Sequence, residues 1–123
     1  MVGTNDLDRS IKFYDELFKV IGLKRTDTDD VCAGYISVGG SGSIEFYITK
    51  PFNKEIATFG NGAQVSFIVN NRNIVDKFHE LGLKLGAQSE GSGGERPEES
   101  GVYYSYLRDL DGNKICAFTN SKI

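Results

Sequence analysis

The sequence predicts an α+β fold made of two halves, each with one strand, one helix and three further strands. The order of hydrophobic periods repeats along the chain, which indicates an internal repeat. A shift of 65 residues places residues 12–15, Lys-Phe-Tyr-Asp, on residues 77–80, Lys-Phe-His-Glu. The 123 residues fit one domain, and 15 glycines against two prolines suit many tight turns between short strands.

The first helix is predicted over residues 7–20. Apolar residues recur there at helical spacing, and charged residues take the opposite face. Asn5 or Asp6 is the expected N-cap, because a side-chain oxygen there accepts a hydrogen bond from an unpaired N–H group of the first turn. Gly22 lies where a left-handed residue often ends a helix.

Three strands and a connection complete the first half. Segments rich in Val, Ile, Tyr and Thr are typical of strands, and the Gly39–Gly42 segment separates two of them. Pro51–Asn61 carries Pro, Asn and Gly without a sustained period, which indicates a connection. The predicted strands are Lys24–Asp27, Cys32–Val38 and Ser43–Thr49.

The second half repeats this order. Asn70-Asn71 precedes the predicted helix, whose apolar stripe spans Ile74–Leu85. Glycine-rich Glu90–Gly101 is predicted as a flexible loop, and Asp109–Asn113 as a turn between the last two strands. The predicted strands are Ala63–Val69, a short edge at Ala87–Ser89, Val102–Leu107 and Lys114–Thr119.

Charge and composition exclude several classes of partner. Fourteen Lys plus Arg against 17 Asp plus Glu give a net charge of −3, and the basic residues are scattered, so we expect no nucleic-acid partner. No apolar window reaches the roughly 18 residues of a membrane span, and no secretion signal is evident. We therefore expect no membrane partner and a cytoplasmic protein. Cys32 and Cys116 show no metal-binding or disulfide-framework spacing, and we expect both thiols to be free.

Four segments together resemble the glyoxalase, bleomycin-resistance and extradiol dioxygenase superfamily. They are Val2–Ser10, Phe13-Tyr14, Gly60-Asn61-Gly62 and Arg108–Ile115. The resemblance covers nearly the whole chain and implies two βαβββ modules, residues 1–58 and 59–123 of a single domain, forming a curved mixed sheet around a cleft. It also implies a small-molecule ligand and, since members commonly dimerise, a homodimer.

Members of this superfamily usually hold a divalent metal with side chains from the first and last strands of each module. The first-strand position of module one precedes Met1 in this sequence, and the resemblance places the other three at Glu45, Gln64 and Cys116. A catalytic divalent ion needs imidazole or carboxylate ligands, and one carboxylate beside an amide and a thiol supplies too few. We therefore expect no cofactor, with zinc, nickel or iron as the alternative.

The period of two in the strands predicts which side chains line the cleft. Ile44, Phe46 and Ile48 are expected to face the helix. Glu45 and Tyr47 are then expected on the opposite face, which would bind the ligand. Aromatic rings and hydroxyls on that face suit stacking and hydrogen bonding to a small molecule. By the same alternation, the cleft also receives Gln64, Ser66, Tyr104, Tyr106, Cys116 and Phe118.

Two further side chains, Arg96 and His79, have alternative interpretations. Arg96 lies in a charged loop expected near the cleft, where it either meets an anionic ligand or belongs to a solvated charge run. His79, the only histidine, is interpreted as a half-exposed helix residue rather than a metal ligand or base, because the repeat pairs it with Tyr14.

Two functions follow from these assignments. In the first, the chain is a glyoxalase-like or bleomycin-resistance-like protein that binds a small molecule in an aromatic cleft without a metal. In the alternative, it is a metal-dependent lyase or isomerase of the glyoxalase type that acts on a small carbonyl or thiol adduct, with Glu45 moving a proton. The altered metal positions favour the binding protein. Metal content distinguishes the two, because only the enzyme needs stoichiometric metal.

Overall fold

The computed structural model describes residues 1–123 and contains two helices and eight strands. Helix α1 spans Leu7–Leu17, α2 spans Arg72–Lys84, and a single 3-10 turn over Phe18–Val20 follows α1. The strands are β1 (Val2–Gly3), β2 (Leu23–Thr28), β3 (Cys32–Ser37), β4 (Ile44–Thr49), β5 (Val65–Ile68), β6 (Gln88–Glu95), β7 (Tyr103–Arg108) and β8 (Lys114–Thr119).

The strands form two four-stranded mixed sheets. We call β1 to β4 with α1 module one, whose sheet has the order β1-β4-β3-β2, and β5 to β8 with α2 module two, with the order β5-β8-β7-β6. In each sheet the first strand runs parallel to the last strand of its module, and the other neighbours are antiparallel. Each module is therefore a βαβββ unit, and the predicted fold class is confirmed.

Both helices begin at side chains that the sequence predicts. Asp6 accepts a hydrogen bond from the backbone N–H of Arg9 at 3.1 Å, and Asn71 accepts one from Ile74 at 3.0 Å. Such caps satisfy N–H groups that have no partner inside the helix. The α-helical part of α1 is shorter than predicted, because its last three residues tighten into the 3-10 turn before Gly22, where φ is +78°.

One hydrophobic core joins the two modules. Because α1 and α2 contact each other, both helices lie on the same side of the sheets. Phe67 of β5 packs against Phe18 and Phe46 of module one, with ring centroids 5.3 Å and 5.5 Å apart. Burial of large rings on both sides of the junction holds the modules together. The opposite side of the sheets carries no helix, and we call it the open face.

A buried polar cluster also joins the modules, at the turn between β7 and β8. Asp109 is only 6% exposed and accepts hydrogen bonds from the Tyr14 hydroxyl at 2.5 Å and the Asn113 side-chain amide at 3.0 Å. Its other oxygen accepts from the backbone N–H groups of Asp111 and Asn113, both at 2.9 Å. Thr4 of module one donates to Asp111 at 2.6 Å. This turn therefore fastens module two to module one.

Strand β6 is longer than predicted. The sequence predicts a loop over Glu90–Gly101, whereas the first half of that segment continues the strand. Two bulges let β6 follow β7, with Gly91 and Gly94 paired to residues of β7. Gly93 packs against Asp76 of α2 so closely that a Cβ at this position would collide with its carboxylate. Gly93, one of the glycines that suggest a loop, is therefore required by close packing within a strand.

Two expectations concern the chain as a whole. No helix of the structure is both long and apolar enough to cross a membrane. Cys32 and Cys116 are not joined by a disulfide, and the first is partly exposed whereas the second is buried.

Candidate functional site: the open face of module two

The open face of module two carries three rows of side chains across β7, β8 and β5. Alternate residues of a strand share a face, and the strand ladders align them in rows. Gln64, just before β5, donates to Ser66 at 2.8 Å, which places both side chains on this face. The first row is Arg108, Lys114 and Gln64, the second is Tyr106, Cys116 and Ser66, and the third is Tyr104, Phe118 and Ile68. We call these nine residues the module-two face.

Three rings of the module-two face form a continuous stack. Tyr104 and Tyr106 have centroids 5.7 Å apart and planes inclined by 7°, and Tyr104 and Phe118 are 5.6 Å apart at 20°. These separations are typical of offset stacking, which stabilises aromatic pairs beyond their burial. All three rings are half-buried. They therefore present a rigid, partly accessible aromatic surface, which we call the aromatic stack.

Positive charge borders this stack. The Nζ atom of Lys114 lies 5.0 Å from the ring centroid of Tyr106, and the Cζ atom of Arg96 lies 5.1 Å from it. Arg96 also donates to three backbone carbonyl oxygens at 2.7–3.2 Å, so it braces β6 and β7. Arg108 pairs with Glu90 at 2.5 Å, whereas Lys114 has no ion-pair partner. Lys114 is therefore the unpaired cation of this face.

The thiol of Cys116 is covered by its neighbours. The residue has no exposed surface. Burial raises the pKa of the Cys116 thiol to about 11, and the Ser66 hydroxyl and the nearby cations Lys114 and Arg96 only partly oppose this. Because the thiolate is the form that attacks electrophiles and binds metals, Cys116 is neutral and unreactive near pH 7.

A β-bulge in β4 separates two residues that the sequence places on one face. Consecutive residues of β3 pair with Phe46 and Ile44, which leaves Glu45 as the extra residue of the bulge. Ile44 is therefore turned over to the face of Tyr47, where both side chains approach Gly34. The prediction that Ile44 faces the helix is wrong, because the period of two is interrupted at the bulge.

Glu45 lies at the junction between the modules. Its carboxylate accepts a hydrogen bond from the Ser37 hydroxyl. It lines a cavity of about 250 Å³ together with Leu23 and Phe67 and with Ser66 and Ile68 of the module-two face. The bulge interrupts the alternation that places Glu45 beside Tyr47, and Glu45 instead reaches the edge of the module-two face next to β5. Tyr47 remains on the open face of module one, and its ring makes no contact with the aromatic stack.

Comparison with protein families and solved structures identifies this architecture. The model of the Glyoxalase/Bleomycin resistance protein/Dioxygenase superfamily matches residues 1–117. The chain belongs to this superfamily. A crystal structure of a glyoxalase/bleomycin resistance protein from Albidiferax ferrireducens T118 is 38% identical, with a TM-score of 0.84 over 97% of this chain and 93% of that chain.

More distant solved structures share the fold. A glyoxalase-related enzyme from Fulvimarina pelagi is 18% identical, with a TM-score of 0.75 over 96% of this chain and 83% of that one. Lactoylglutathione lyase from Agrobacterium tumefaciens is 20% identical, with a TM-score of 0.68 over 96% and 88% of the two chains. A comparison with curated proteins gives no match.

Module one offers Tyr47 rather than Glu45 at the superfamily position that matches Cys116. The ladder of module one pairs Val2 with Ile48. Phe67, which lies 65 positions after Val2, pairs with Ala117, the residue that follows Cys116. Tyr47, which precedes Ile48, therefore corresponds to Cys116. The assignment from the resemblance is corrected by two residues.

These positions do not fit the metal site of the superfamily's enzymes. Gln64, Cys116 and Tyr47 supply a neutral amide, a buried protonated thiol and a phenol. Catalytic divalent ions need imidazole, carboxylate or thiolate ligands around an open coordination position. No group of three or more His, Cys, Asp and Glu side chains in the chain is arranged to hold a metal ion.

Three residues of the module-two face are not among those predicted from the sequence: Arg108, Lys114 and Ile68. The signal that identifies them was present, because the same alternation continued one step along each strand reaches all three. Ile68 shares the exposed face of β5 with Ser66.

The only histidine is buried between α2 and the sheet, not half-exposed as predicted. His79 is 7% exposed, and its Nε2 atom lies 2.8 Å from the Ser89 hydroxyl of β6. The repeat pairs His79 with Tyr14, which is fully buried. The burial of His79 therefore follows from the repeat, and its side chain lies on the helix side of the sheet.

We expect the protein to lose stability as the pH falls below about 6.5, the ordinary pKa of histidine. Burial lowers the pKa of His79, against the opposing influence of Asp76 and Glu80. The unfolded chain then binds the proton more readily, so the stabilisation is complete above the unfolded pKa and is lost as the pH falls through the folded one. Urea unfolding at about pH 7.5 and about pH 5.5 should show the lower midpoint in acid, and His79→Gln should reduce the difference. A pH dependence unchanged in His79→Gln would contradict this assignment.

Proposed function

We propose that this chain binds a small organic molecule on the module-two face and does so without a resident metal. The aromatic stack carries the proposal, because it offers three rigid, half-buried rings on the side of the sheet that no helix covers. Small-molecule sites combine such surfaces with a few polar groups that fix orientation. Gln64, Ser66 and Lys114 supply those groups beside the rings.

The side chains at the superfamily's metal positions favour ligand binding over metal-dependent catalysis. A lyase or isomerase of the glyoxalase type would need a divalent ion, and the amide, thiol and phenol at the corresponding positions are poor ligands for one. Glu45, the group expected to move a proton in such an enzyme, lies at the module junction, where it accepts a hydrogen bond from Ser37 and lines a cavity with Ser66 and Ile68. In this proposal Arg96 holds the ring of Tyr106 and the backbone of β6 and β7 in place. Tyr47 offers a further ring to the ligand on the open face of module one.

The protein is a cytoplasmic homodimer in this proposal. Large apolar side chains stand exposed on the connection between the modules, notably Phe52 and Ile56. Exposed apolar residues on one segment support the proposal that a second copy of the chain covers this segment.

Calorimetric titration with a neutral aromatic alcohol, biphenyl-4-methanol, tests the proposed function in the presence of EDTA. We expect saturable binding to the wild type and about tenfold weaker binding to Tyr104→Leu, which interrupts the aromatic stack at its centre. Phe52→Leu is the matched control, since it removes a ring that lies outside the stack, and it should bind like the wild type. Equal affinity in both variants, or binding only after metal is added, would contradict the proposal.

A further inference from the structure

The module-two face changes its chemistry in one direction along the strands. Its first row carries the cations Arg108 and Lys114, its second row is polar, and its third row is apolar. Ile68, at the apolar end, is 68% exposed and lies beside Phe118 on the neighbouring strand. A side chain of this size exposed next to two rings leaves apolar surface in contact with water.

The cationic end carries an excess of positive charge. Arg108 and Lys114 form this end, and Glu90 is the carboxylate that pairs with Arg108. Arg96 lies farther along the face, over the ring of Tyr106. Arg96 is engaged by backbone carbonyls, and Arg108 is engaged by Glu90. The ammonium group of Lys114 is therefore the charge that is free to bind an anion from outside.

A groove adjoins the free ammonium group. It has a volume of about 460 Å³ and is lined by Gln64 and Lys114 from the module-two face and by Met1 and Phe59 from module one and the connection. The side-chain amide of Gln64 offers donors and an acceptor at the same end. An acidic head group placed there would meet one charge and one amide before it reached the rings.

The spacing of the rows fixes the length of the molecule that spans them. Lys114 and Phe118 are four residues apart on one strand, which corresponds to about 13 Å at a rise of about 3.3 Å per residue. A molecule that touches both ends must therefore be elongated. A single ring with a carboxylate reaches only the second row.

We propose, building on the function proposed above, that the ligand is an elongated amphipathic anion. Its acidic head lies against Lys114 and Gln64, and its aromatic or aliphatic body runs along the strands across Tyr104 and Phe118 to Ile68. Charge complementarity at one end and apolar burial at the other make this occupant more favourable than a neutral molecule of the same shape.

Three probes measured by calorimetry test this inference. We expect biphenyl-4-carboxylate to bind about tenfold more tightly than both biphenyl-4-methanol, which lacks the charge, and benzoate, which lacks the length. Lys114→Gln should remove most of the preference for the carboxylate over the alcohol, whereas Lys84→Gln, on α2, should leave it intact. Ile68→Ser should weaken both biphenyl probes and leave benzoate unchanged.

The outcomes separate this inference from the proposed function. If the alcohol and the carboxylate bind equally well, the anionic class is wrong and small-molecule binding stands. If neither biphenyl probe binds, the proposed function itself fails. If light scattering shows a wild-type dimer that Ile68→Ser converts to a monomer, a second copy covers this face and the inference is overturned.

Discussion

Replacing Asp109 with alanine is expected to lower the free energy of unfolding by about 3 to 5 kcal/mol. The carboxylate accepts four hydrogen bonds in a buried site, and its loss leaves the Tyr14 hydroxyl and one N–H of the Asn113 side-chain amide without an acceptor. The damage falls on the turn that fastens the two modules, so both should unfold together. For a domain of this size the melting temperature should fall by about 10 to 20 °C.

Thermal and urea unfolding followed by circular dichroism measure this effect. Tyr14→Phe is the matched control, because it removes one of the four donors and keeps the ring in the core. We expect it to cost about 1 to 2 kcal/mol, since burial and the nearby Asp109 raise the pKa of Tyr14 and keep its hydroxyl protonated as a donor. A loss below about 1 kcal/mol for Asp109→Ala would show that the turn does not fasten the modules.

Replacing Gly82 with valine is expected to cost about 3 kcal/mol or more. Gly82 lies in α2, and a Cβ there would overlap the side chain of Leu107 on β7, which is fully buried. The gain in helix propensity over glycine is below about 1 kcal/mol and cannot offset this overlap. The expected cause is therefore steric exclusion between α2 and the sheet.

Shortening Leu107 to alanine tests that cause directly. Alone it should cost about 2 to 5 kcal/mol, because it leaves a cavity in the core. The double variant with Gly82→Val should lose at least about 1 kcal/mol less than the sum of the two separate losses. The reason is that the valine fills the space that the leucine leaves. Additive losses would show that Gly82→Val does not destabilise the protein through its overlap with Leu107.

Most of the fold was accessible from the sequence because two independent signals agree. Hydrophobic periodicity gave the elements, and the 65-residue repeat confirmed their order, including the burial of both helices against the sheets. The failures have local causes. Glu45 is the extra residue of a bulge, which no periodic pattern reveals. In β6, Gly93 is required by its packing against Asp76, yet in the sequence it looks like a glycine of a loop.

The candidate site could be predicted from the sequence only in module two, where the strands pair without a break along β8. Alternation placed Tyr104, Tyr106 and Phe118 together correctly, and the structure stacks them. In module one the same rule fails at Ile44 and Glu45, where the bulge precedes Phe46. The burial of Cys116 could not be foreseen, because it depends on neighbouring side chains from two other strands.

Metal content, measured by elemental analysis after exhaustive dialysis, tests the central claim of metal-free ligand binding most directly. Gln64, Cys116 and Tyr47 should hold a divalent ion too weakly to survive dialysis, so we predict zinc, nickel and iron far below one equivalent per chain. The same sample should still bind biphenyl-4-methanol. One equivalent of any of these metals in the dialysed protein would contradict the account and support a metal-dependent enzyme.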